Sequence, residues 1–258
     1  MNSLSIRILA AFAIALLSLP AAAQHNGAHA KANVSANKTS VQRTATEQVV
    51  RDYLMAHPEV IREALTALEK REAAAEAAAK RRALADHRDE LMADPSSPVL
   101  GNPDGDVTVV EFFDYRCGYC RRVAPAVEAL LKKDDKVRLV LKELPILGRD
   151  SWLAAKAALA AQKQGRYGEL HAALMKAESI DAASIDALAA GMGFDMEKFR
   201  ADFEKGEPGT LERNHRLAST LGIDGTPAFV VGDRLIPGAA DEATLAGHVA
   251  AVRAALAK

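Results

Sequence analysis

Cysteine is almost absent from this chain, since only Cys117 and Cys120 among its 258 residues carry a thiol. A zinc knuckle needs about four ligands, and no second C-x-x-C or C-x-x-H is present to complete one. A purely structural disulfide is also a poor explanation, because closing so short a loop removes little entropy from the unfolded chain. The pair is therefore interpreted as a redox-active site.

Net charge, aromatic residues and long apolar runs are scarce as well. The formal net charge is −1, which gives no electrostatic reason to expect nucleic acid or an anionic membrane as a partner. Beyond the N-terminus no segment resembles a transmembrane helix. Only 5% of the residues are aromatic and alanine is abundant, so the chain is expected to be largely helical.

Residues 1–23 have the pattern of a cleavable secretory signal. Arg7 supplies positive charge, Ile8–Leu19 is apolar, and Pro20–Ala23 ends in an A-x-A cleavage site. A retained signal-anchor is the alternative interpretation. Export predicts a periplasmic protein whose cysteines lie in an oxidising compartment, where disulfide chemistry has substrates.

The region between the signal and the main domain divides into a linker and a helical stalk. Residues 24–45 are polar without an apolar period and predict a disordered linker, in which His25 and His29 either bind a metal weakly or are simply solvated. Residues 46–93 predict helices with a break at His57-Pro58. Their thin apolar stripe needs a partner, either the main domain or a second subunit. Self-association is favoured over a solvated spacer helix.

The stretch Val107–Pro125 combines a buried strand with a helix that begins at the cysteines. Val107–Phe113 is apolar and β-branched, as expected of a buried strand. A polar turn follows, and Cys117-Gly118-Tyr119-Cys120 then opens an amphipathic helix that Pro125 is expected to kink. Unpaired N–H groups and the dipole at a helix start favour the Cys117 thiolate, the species that attacks disulfides. This pattern predicts a thiol–disulfide exchange site.

The remaining pattern completes an α/β fold. A second strand is predicted at Val137–Leu144, a helical block at about 150–221, a strand pair at Pro227–Val231 and Arg234–Ile236, and a final helix at 241–257. This order predicts a thioredoxin-like core interrupted by inserted helices.

From about Val99 to the C-terminus, the chain resembles the DsbA family of exported thiol–disulfide oxidoreductases. The motifs F-x-D-Y-x-C-G-Y-C, K-E-L-P-I-L-G and G-I-D-G-T-P-A-F-V-V occur in the expected order. With its N-terminal helical segment, the chain is most similar to the suppressor-of-copper-sensitivity C and Com1-like members, which use the stalk to form oligomers. The resemblance implies a DsbA-like domain at 99–258 with its helical insertion at about 150–221.

By position, the resemblance makes Cys117 the attacking cysteine and Cys120 the resolving one. Thr226-Pro227 matches the cis-proline loop beside the cysteine pair, where the backbone of Thr226 can pair with an extended substrate. Glu111, six positions before Cys117, matches an acid that moves protons for Cys120. A buried carboxylate has a raised pKa and can exchange a proton near neutrality. The alternative for Glu111 is a partly exposed strand residue.

The dipeptide between the cysteines departs from the strongest oxidases of this family. Gly118 and Tyr119 stand where those proteins carry Pro-His, and a histidine there would help to hold the thiolate. A neutral tyrosine implies weaker stabilisation of the thiolate and a less oxidising potential.

The expected function is therefore a periplasmic disulfide isomerase or reductase that acts on exported, cysteine-containing client proteins. The resemblance implies no cofactor and no resident metal, a homo-oligomer built through the stalk, and a membrane thiol–disulfide electron donor of unknown identity. A monomeric dithiol oxidase is one alternative. The others are a Cu(I)-binding protein that uses the same thiols and an outer-surface structural antigen.

Overall fold

The computed structural model describes residues 42–206 and 209–257. The predicted signal and most of the predicted linker, with His25 and His29, lie outside these residues. The chain divides into two units, Met1–Lys70 and Arg71–Lys258. Within the described ranges, no helix combines the length and the apolar character that crossing a membrane requires.

The larger unit is built on a five-stranded sheet with the order β1-β3-β2-β4-β5. The strands are β1 (Val99–Gly101), β2 (Val107–Phe113), β3 (Val137–Glu143), β4 (Ala228–Val231) and β5 (Arg234–Pro237). The central strand β2 pairs in parallel with β3 and antiparallel with β4. Its sequence is almost continuously apolar because the sheet is covered on both faces.

The short edge strand β1 has no counterpart among the predicted strands. It pairs antiparallel with β3, and three residues are too few to produce a recognisable alternation. Gly101 ends it with a φ of +72°, and a Cβ at this position would lie 2.6 Å from the carbonyl oxygen of Val137. A glycine is therefore required where the edge strand meets the start of β3.

The described residues form ten helices in addition to the sheet. Their bounds are residues 42–56 (α1), Glu59–Asp86 (α2), Arg88–Met92 (α3), Gly118–Lys133 (α4), Arg149–Lys163 (α5), Tyr167–Lys176 (α6), Ala182–Gly191 (α7), Met196–Lys205 (α8), Thr210–Thr220 (α9) and Glu242–Leu256 (α10). The insertion between β3 and β4 thus consists of α5–α9, and the predicted thioredoxin-like core with inserted helices is confirmed. Helix α4 continues through Pro125 without interruption.

Two apolar clusters cover the two faces of the sheet. Alternate β2 residues Val109 and Phe113 pack with α4, α10 and most of the insertion, whereas Val110 and Phe112 pack with α9, α3 and the end of α2. This division follows from the two-residue period of a strand, which sends neighbouring side chains to opposite faces.

The smaller unit corrects the predicted start of the stalk. Helix α1 already includes residues 42–45, which the sequence predicts as linker, and the Thr46 hydroxyl donates to the carbonyl of Gln42 at 2.9 Å. These four residues lack an apolar pattern, but a polar segment can extend a helix that its neighbours have nucleated. The break at His57-Pro58 is present, because α1 ends before it and α2 begins after it.

The second half of the predicted stalk belongs to the larger unit. Leu84 near the end of α2 and Leu91 in α3 are 5% and 1% exposed, and both pack in the cluster that contains Val110 and Phe112. The sequence pattern also allows one continuous helix from Glu59 to Met92, but a turn at His87 separates α2 from α3. Leu84 and Leu91 are therefore core residues rather than part of an independent stalk.

A buried lysine ties the end of this helical segment to the sheet. The Nζ of Lys142 on β3 is fully buried and donates to the Glu90 carbonyl at 2.6 Å and to the Ser97 hydroxyl at 2.7 Å. It also lies 3.3 Å from the carboxylate of Asp94. Burial raises the pKa of Asp94, but hydrogen bonds from Ser96 and the charge of Lys142 outweigh it and lower the pKa to about 2.

We expect Lys142→Met to lower the free energy of unfolding by about 3 kcal/mol, because it leaves the partly buried Glu90 carbonyl and Asp94 carboxylate without their cation. The loss should shrink as the pH falls from about 4 towards 2, since protonation of Asp94 then removes its charge. Urea unfolding followed by circular dichroism measures both effects. Arg200→Gln, which removes an exposed pair with Asp186, should change stability by less than about 0.5 kcal/mol. Equal effects of the two variants would contradict the prediction.

Candidate active site

One buried carboxylate organises the turn between β2 and α4. Asp114 is 1% exposed, and its Oδ1 accepts from the backbone N–H of Arg116 at 2.7 Å and from the hydroxyl of Ser151 at 2.8 Å. The N–H groups of Ile146 and Leu147 donate to its Oδ2 at 2.8 and 3.0 Å. A single side chain thus holds the turn, the loop after β3 and the start of α5 in one arrangement.

Cys117 is the N-cap residue of α4. Its N–H donates to the Asp114 carbonyl at 3.1 Å, and its Sγ accepts from the N–H of Cys120 at 3.4 Å. The sulfur therefore takes the place of the oxygen that usually caps a helix. The residue is 6% exposed, whereas Cys120 is 0% exposed.

Cys120 lies one turn further along α4 and is fully buried. Burial raises the pKa of its thiol well above the ordinary range, and the neighbouring Cys117 sulfur contributes in the same direction. Both cysteines are free thiols. Cys120 is therefore buried and its thiol is difficult to ionise, whereas Cys117 lies at the start of the helix.

The structure brings Thr226 and Pro227 against this pair across 109 residues of sequence. The Cys117 thiol donates to the Thr226 carbonyl at 3.2 Å, and the Thr226–Pro227 peptide bond is cis. The carbonyl of Pro227 accepts from the N–H of Gly238 at 2.9 Å. Four of the predicted site residues thus form one cluster at the start of α4.

Glu111 lies deeper in β2, between Leu141 of β3 and Phe229 of β4. It is 3% exposed, and burial raises the pKa of its carboxyl group to about 8. It lines a cavity of about 420 Å³ between α4 and α6, which His171 also lines. No hydrogen bond joins its carboxyl group to another described residue. The alternative of a partly exposed strand residue is therefore wrong.

Gly118 and Tyr119 occupy the outer surface of the first turn of α4. No atom lies within 4 Å of the position that a Cβ on Gly118 would take, so sterics do not require a glycine there. Tyr119 is 60% exposed, and the guanidinium carbon of Arg122 lies 4.5 Å from the centre of its ring. A molecule that approaches Cys117 would therefore contact these two residues.

A second buried polar cluster near the site was not predicted. The hydroxyls of Tyr115 and Tyr167 donate to the carboxylate of Glu143 at 3.0 and 2.7 Å, and the Nδ1 of His171 lies 3.0 Å from the Tyr115 hydroxyl. Burial raises the pKa of Glu143 and lowers the pKa of His171 to about 4. The K-E-L-P-I-L-G motif contains Glu143, but only the fold brings α6 and its histidine to it.

Metal-binding groups are sparse near the site. Among residues 42–206 and 209–257, no set of three or more His, Cys, Asp or Glu side chains is arranged to hold a metal ion. The polar groups at the site are the two thiols, the backbone around Thr226, and the buried carboxyl groups of Glu111 and Glu143.

A thioredoxin-type sheet, a C-x-x-C pair at a helix start and an opposing cis-proline together define the class of thiol–disulfide exchange proteins. A family model described as the DSBA-like thioredoxin domain matches residues 108–250, more than half of the chain. The chain belongs to this family. Residues 42–75 match a second model, described as the copper resistance protein ScsC N-terminal domain.

Similar structures span most of the chain. A thioredoxin-like oxidoreductase from Silicibacter pomeroyi is 46% identical with a TM-score of 0.62, and the match covers 64% of this chain and 97% of that one. ScsC from Proteus mirabilis in a compact conformation is 33% identical with a TM-score of 0.61 over 83% of this chain and all of that one.

Curated relatives are matched over part of their length. The thiol:disulfide interchange protein DsbA from Bordetella parapertussis is 30% identical over 144 residues, which cover 53% of this chain and 68% of that protein. The chain spans about a fifth of the length of the sodium/proton antiporter NhaA 3 from Salinispora tropica, with 32% identity over 140 residues.

The asymmetry between the thiols predicts selective alkylation. In the reduced protein at neutral pH, the Cys120→Ser variant, which retains Cys117, should react with iodoacetamide at least about tenfold faster than the Cys117→Ser variant. The reason is that Cys120 is buried and the pKa of its thiol is raised. Mass spectrometry over time measures both rates. In guanidinium chloride the two variants should react alike, whereas equal rates in the folded protein would contradict this assignment.

Proposed function

We propose that this protein is an exported thiol–disulfide oxidoreductase that reduces or rearranges disulfides in client proteins, with isomerisation as its main task. The observation that carries the proposal is the position of the Cys117 sulfur, which caps α4 and lies 3.2 Å from the Thr226 carbonyl beside the buried Cys120. The pattern of residues 1–23 supports export to the periplasm, where client disulfides form.

The chemistry begins with attack by the Cys117 thiolate on one sulfur of a client disulfide. A bond forms between Cys117 and that sulfur, the client disulfide breaks, and the other client sulfur leaves as a thiolate. In isomerisation, a client thiolate then attacks the mixed disulfide and frees Cys117. In reduction, Cys120 attacks instead, so that the client leaves as a dithiol and the Cys117–Cys120 disulfide forms. A membrane electron donor would return this disulfide to the dithiol.

The backbone of Thr226 is proposed to hold the client during this exchange. In the dithiol protein its carbonyl accepts the Cys117 S–H. Loss of that proton frees the carbonyl to accept an N–H from an extended client segment. The client sulfur is then held beside the attacking one, which is the geometric requirement of the reaction.

Glu111 is proposed as the base for Cys120. The resolving thiol must lose its proton to attack, and its raised pKa leaves almost no thiolate near neutrality. A carboxyl group with a pKa of about 8 can take that proton and pass it to water in the adjoining cavity.

Glu111→Gln should therefore slow release of a peptide from a preformed Cys117–peptide mixed disulfide by at least about tenfold at pH 8. In the unmodified protein the release rate should rise as the pH approaches about 8, because the Glu111 carboxylate becomes populated there, and then level off. The variant should lack this inflection. Rapid acid quench and chromatography measure the release. Glu128→Gln, at the same cavity, serves as the control, and an unchanged pH profile in the Glu111 variant would refute the role.

Residues 42–75 are proposed to join several copies of the chain. Apolar side chains in this segment are exposed, with Val50, Ile61, Leu65 and Leu68 each 48 to 54% accessible. Ile61, Leu65 and Leu68 follow the i, i+4, i+7 spacing of one helix face, as a self-association surface requires. The match of this segment to the ScsC N-terminal domain supports the same role.

The test of this assembly compares two full-length variants. Ile61→Glu combined with Leu65→Glu should dissociate the oligomer and lower recovery of a scrambled-disulfide substrate by at least about fivefold, because one client then meets a single site. Lys70→Glu, on the opposite side of α2, should leave both unchanged. Light scattering gives the mass, and recovered substrate activity gives isomerisation. A dissociated variant that still repairs the substrate would refute the need for assembly, whereas a monomeric parent that mainly oxidises thiols would favour the monomeric oxidase.

A further inference from the structure

The surface beside Cys117 presents apolar side chains on a rigid support. Ile146 and Leu147 are 39% and 44% exposed, and Asp114 binds both of their N–H groups. The same carboxylate binds the turn that leads into Cys117. The backbone that carries these two side chains therefore cannot move inward without breaking hydrogen bonds to a buried carboxylate.

Arginine side chains border these apolar groups. Nη1 of Arg116 donates to the Leu147 carbonyl at 3.1 Å, which places the guanidinium against the apolar loop. Arg122 is exposed, and its guanidinium group stacks over the ring of Tyr119. Tyr119 is one of the two residues that separate the cysteines in the sequence. A cation and an apolar or aromatic group thus occur together twice, once before Cys117 and once after it.

Few acids neutralise these cations. Asp150 lies 4.0 Å from Arg116, and Arg122 has no acidic partner within the part of the chain that the structure describes. Arg121 donates to the carbonyls of Met175 and Ala177, which satisfy its N–H groups without cancelling its charge. Arg149 is also exposed at the start of α5, and Asp224 is the exposed acid in the loop before Thr226. The charge of Arg122 is therefore not neutralised by an acid within salt-bridge distance among the described residues, and Asp241 is the acid that lines the same surface hollow.

We propose that this surface selects its clients: it docks polypeptide segments in which the reactive cysteine is flanked by a carboxylate and an aliphatic or aromatic side chain. The inference rests on the proposed function. Arg116 and Arg122 supply guanidinium groups that can bind a client carboxylate through paired hydrogen bonds. Ile146, Leu147 and Tyr119 supply the apolar contact, so that neighbouring client residues are held while the sulfurs exchange.

Three cysteine peptides test the charge preference. They carry Glu-Leu, Gln-Leu or Lys-Leu before the cysteine, and each is activated as a mixed disulfide with the uncharged leaving group pyridine-2-thiol. Attack by Cys117 bonds it to the peptide sulfur and releases pyridine-2-thione, whose absorbance gives the second-order rate constant. At low salt the Glu peptide should react about tenfold faster than the Lys peptide, and the ratio should fall in high salt.

Matched variants of the full chain locate this preference. Arg116→Gln combined with Arg122→Gln should reduce the ratio between the Glu and Lys peptides to near one. Arg200→Gln, which removes an exposed arginine from α8, should leave the ratio unchanged. Ile146→Ser combined with Leu147→Ser should lower the rate constants of all three peptides. It should leave unchanged the rate constants of three matched peptides in which glycine replaces leucine.

The outcomes separate this inference from the function on which it rests. Equal rates for the three peptides, or a preference that survives in the double arginine variant, would overturn the docking surface and leave thiol exchange intact. A reduced protein that reacts with none of the peptides would instead refute the proposed function.

Discussion

The site depends on the hydrogen bonds that converge on Asp114. Its carboxylate satisfies N–H groups of the cysteine turn and of the loop after β3, together with a hydroxyl in α5. Because it is almost fully buried, losing any of these donors would leave part of a charged group unpaired. This one set of hydrogen bonds to Asp114 fixes the start of α4, the position of Cys117 and the exposed loop at Ile146 and Leu147.

The two-residue period of the strands distributes the buried polar groups between the faces of the sheet. Lys142 and Glu143 are neighbours in β3 but point to opposite faces of the sheet. Lys142 donates to the Glu90 carbonyl in α3, whereas Glu143 accepts from the hydroxyls of Tyr115 and Tyr167. Glu111 shares the face of Glu143 and lies opposite Leu141. Lys142 therefore stabilises the packing of the helical segment on one face of the sheet, whereas Glu143 and Glu111 lie on the face that carries the cysteine helix.

The N-terminal helical segment has two parts with different physical roles. The end of α2 and all of α3 contribute core residues, Leu84 and Leu91, to the larger unit. The part before Arg71 exposes Ile61, Leu65 and Leu68, each 48 to 54% accessible. Hydrogen bonds from Lys142 to Glu90 and Ser97 hold α3 and the turn after it against the sheet of the larger unit.

Local patterns in the sequence determined the position of β2, the helix start at Cys117, the inserted helices and the chemical class of the site. Apolar period, turn residues and a C-x-x-C pair act over short distances, so they can be read without knowing the fold. Only the tertiary structure decided the partners of Asp114, Lys142 and Glu143, and the transfer of Leu84 and Leu91 into the core. Apart from the N–H of Arg116, the partners of these three side chains lie 24 or more positions away in the sequence. Leu84 and Leu91 lie on helix faces that look like the rest of the stalk in sequence. Which buried polar groups meet is set by sheet register and helix packing, and no local pattern encodes them.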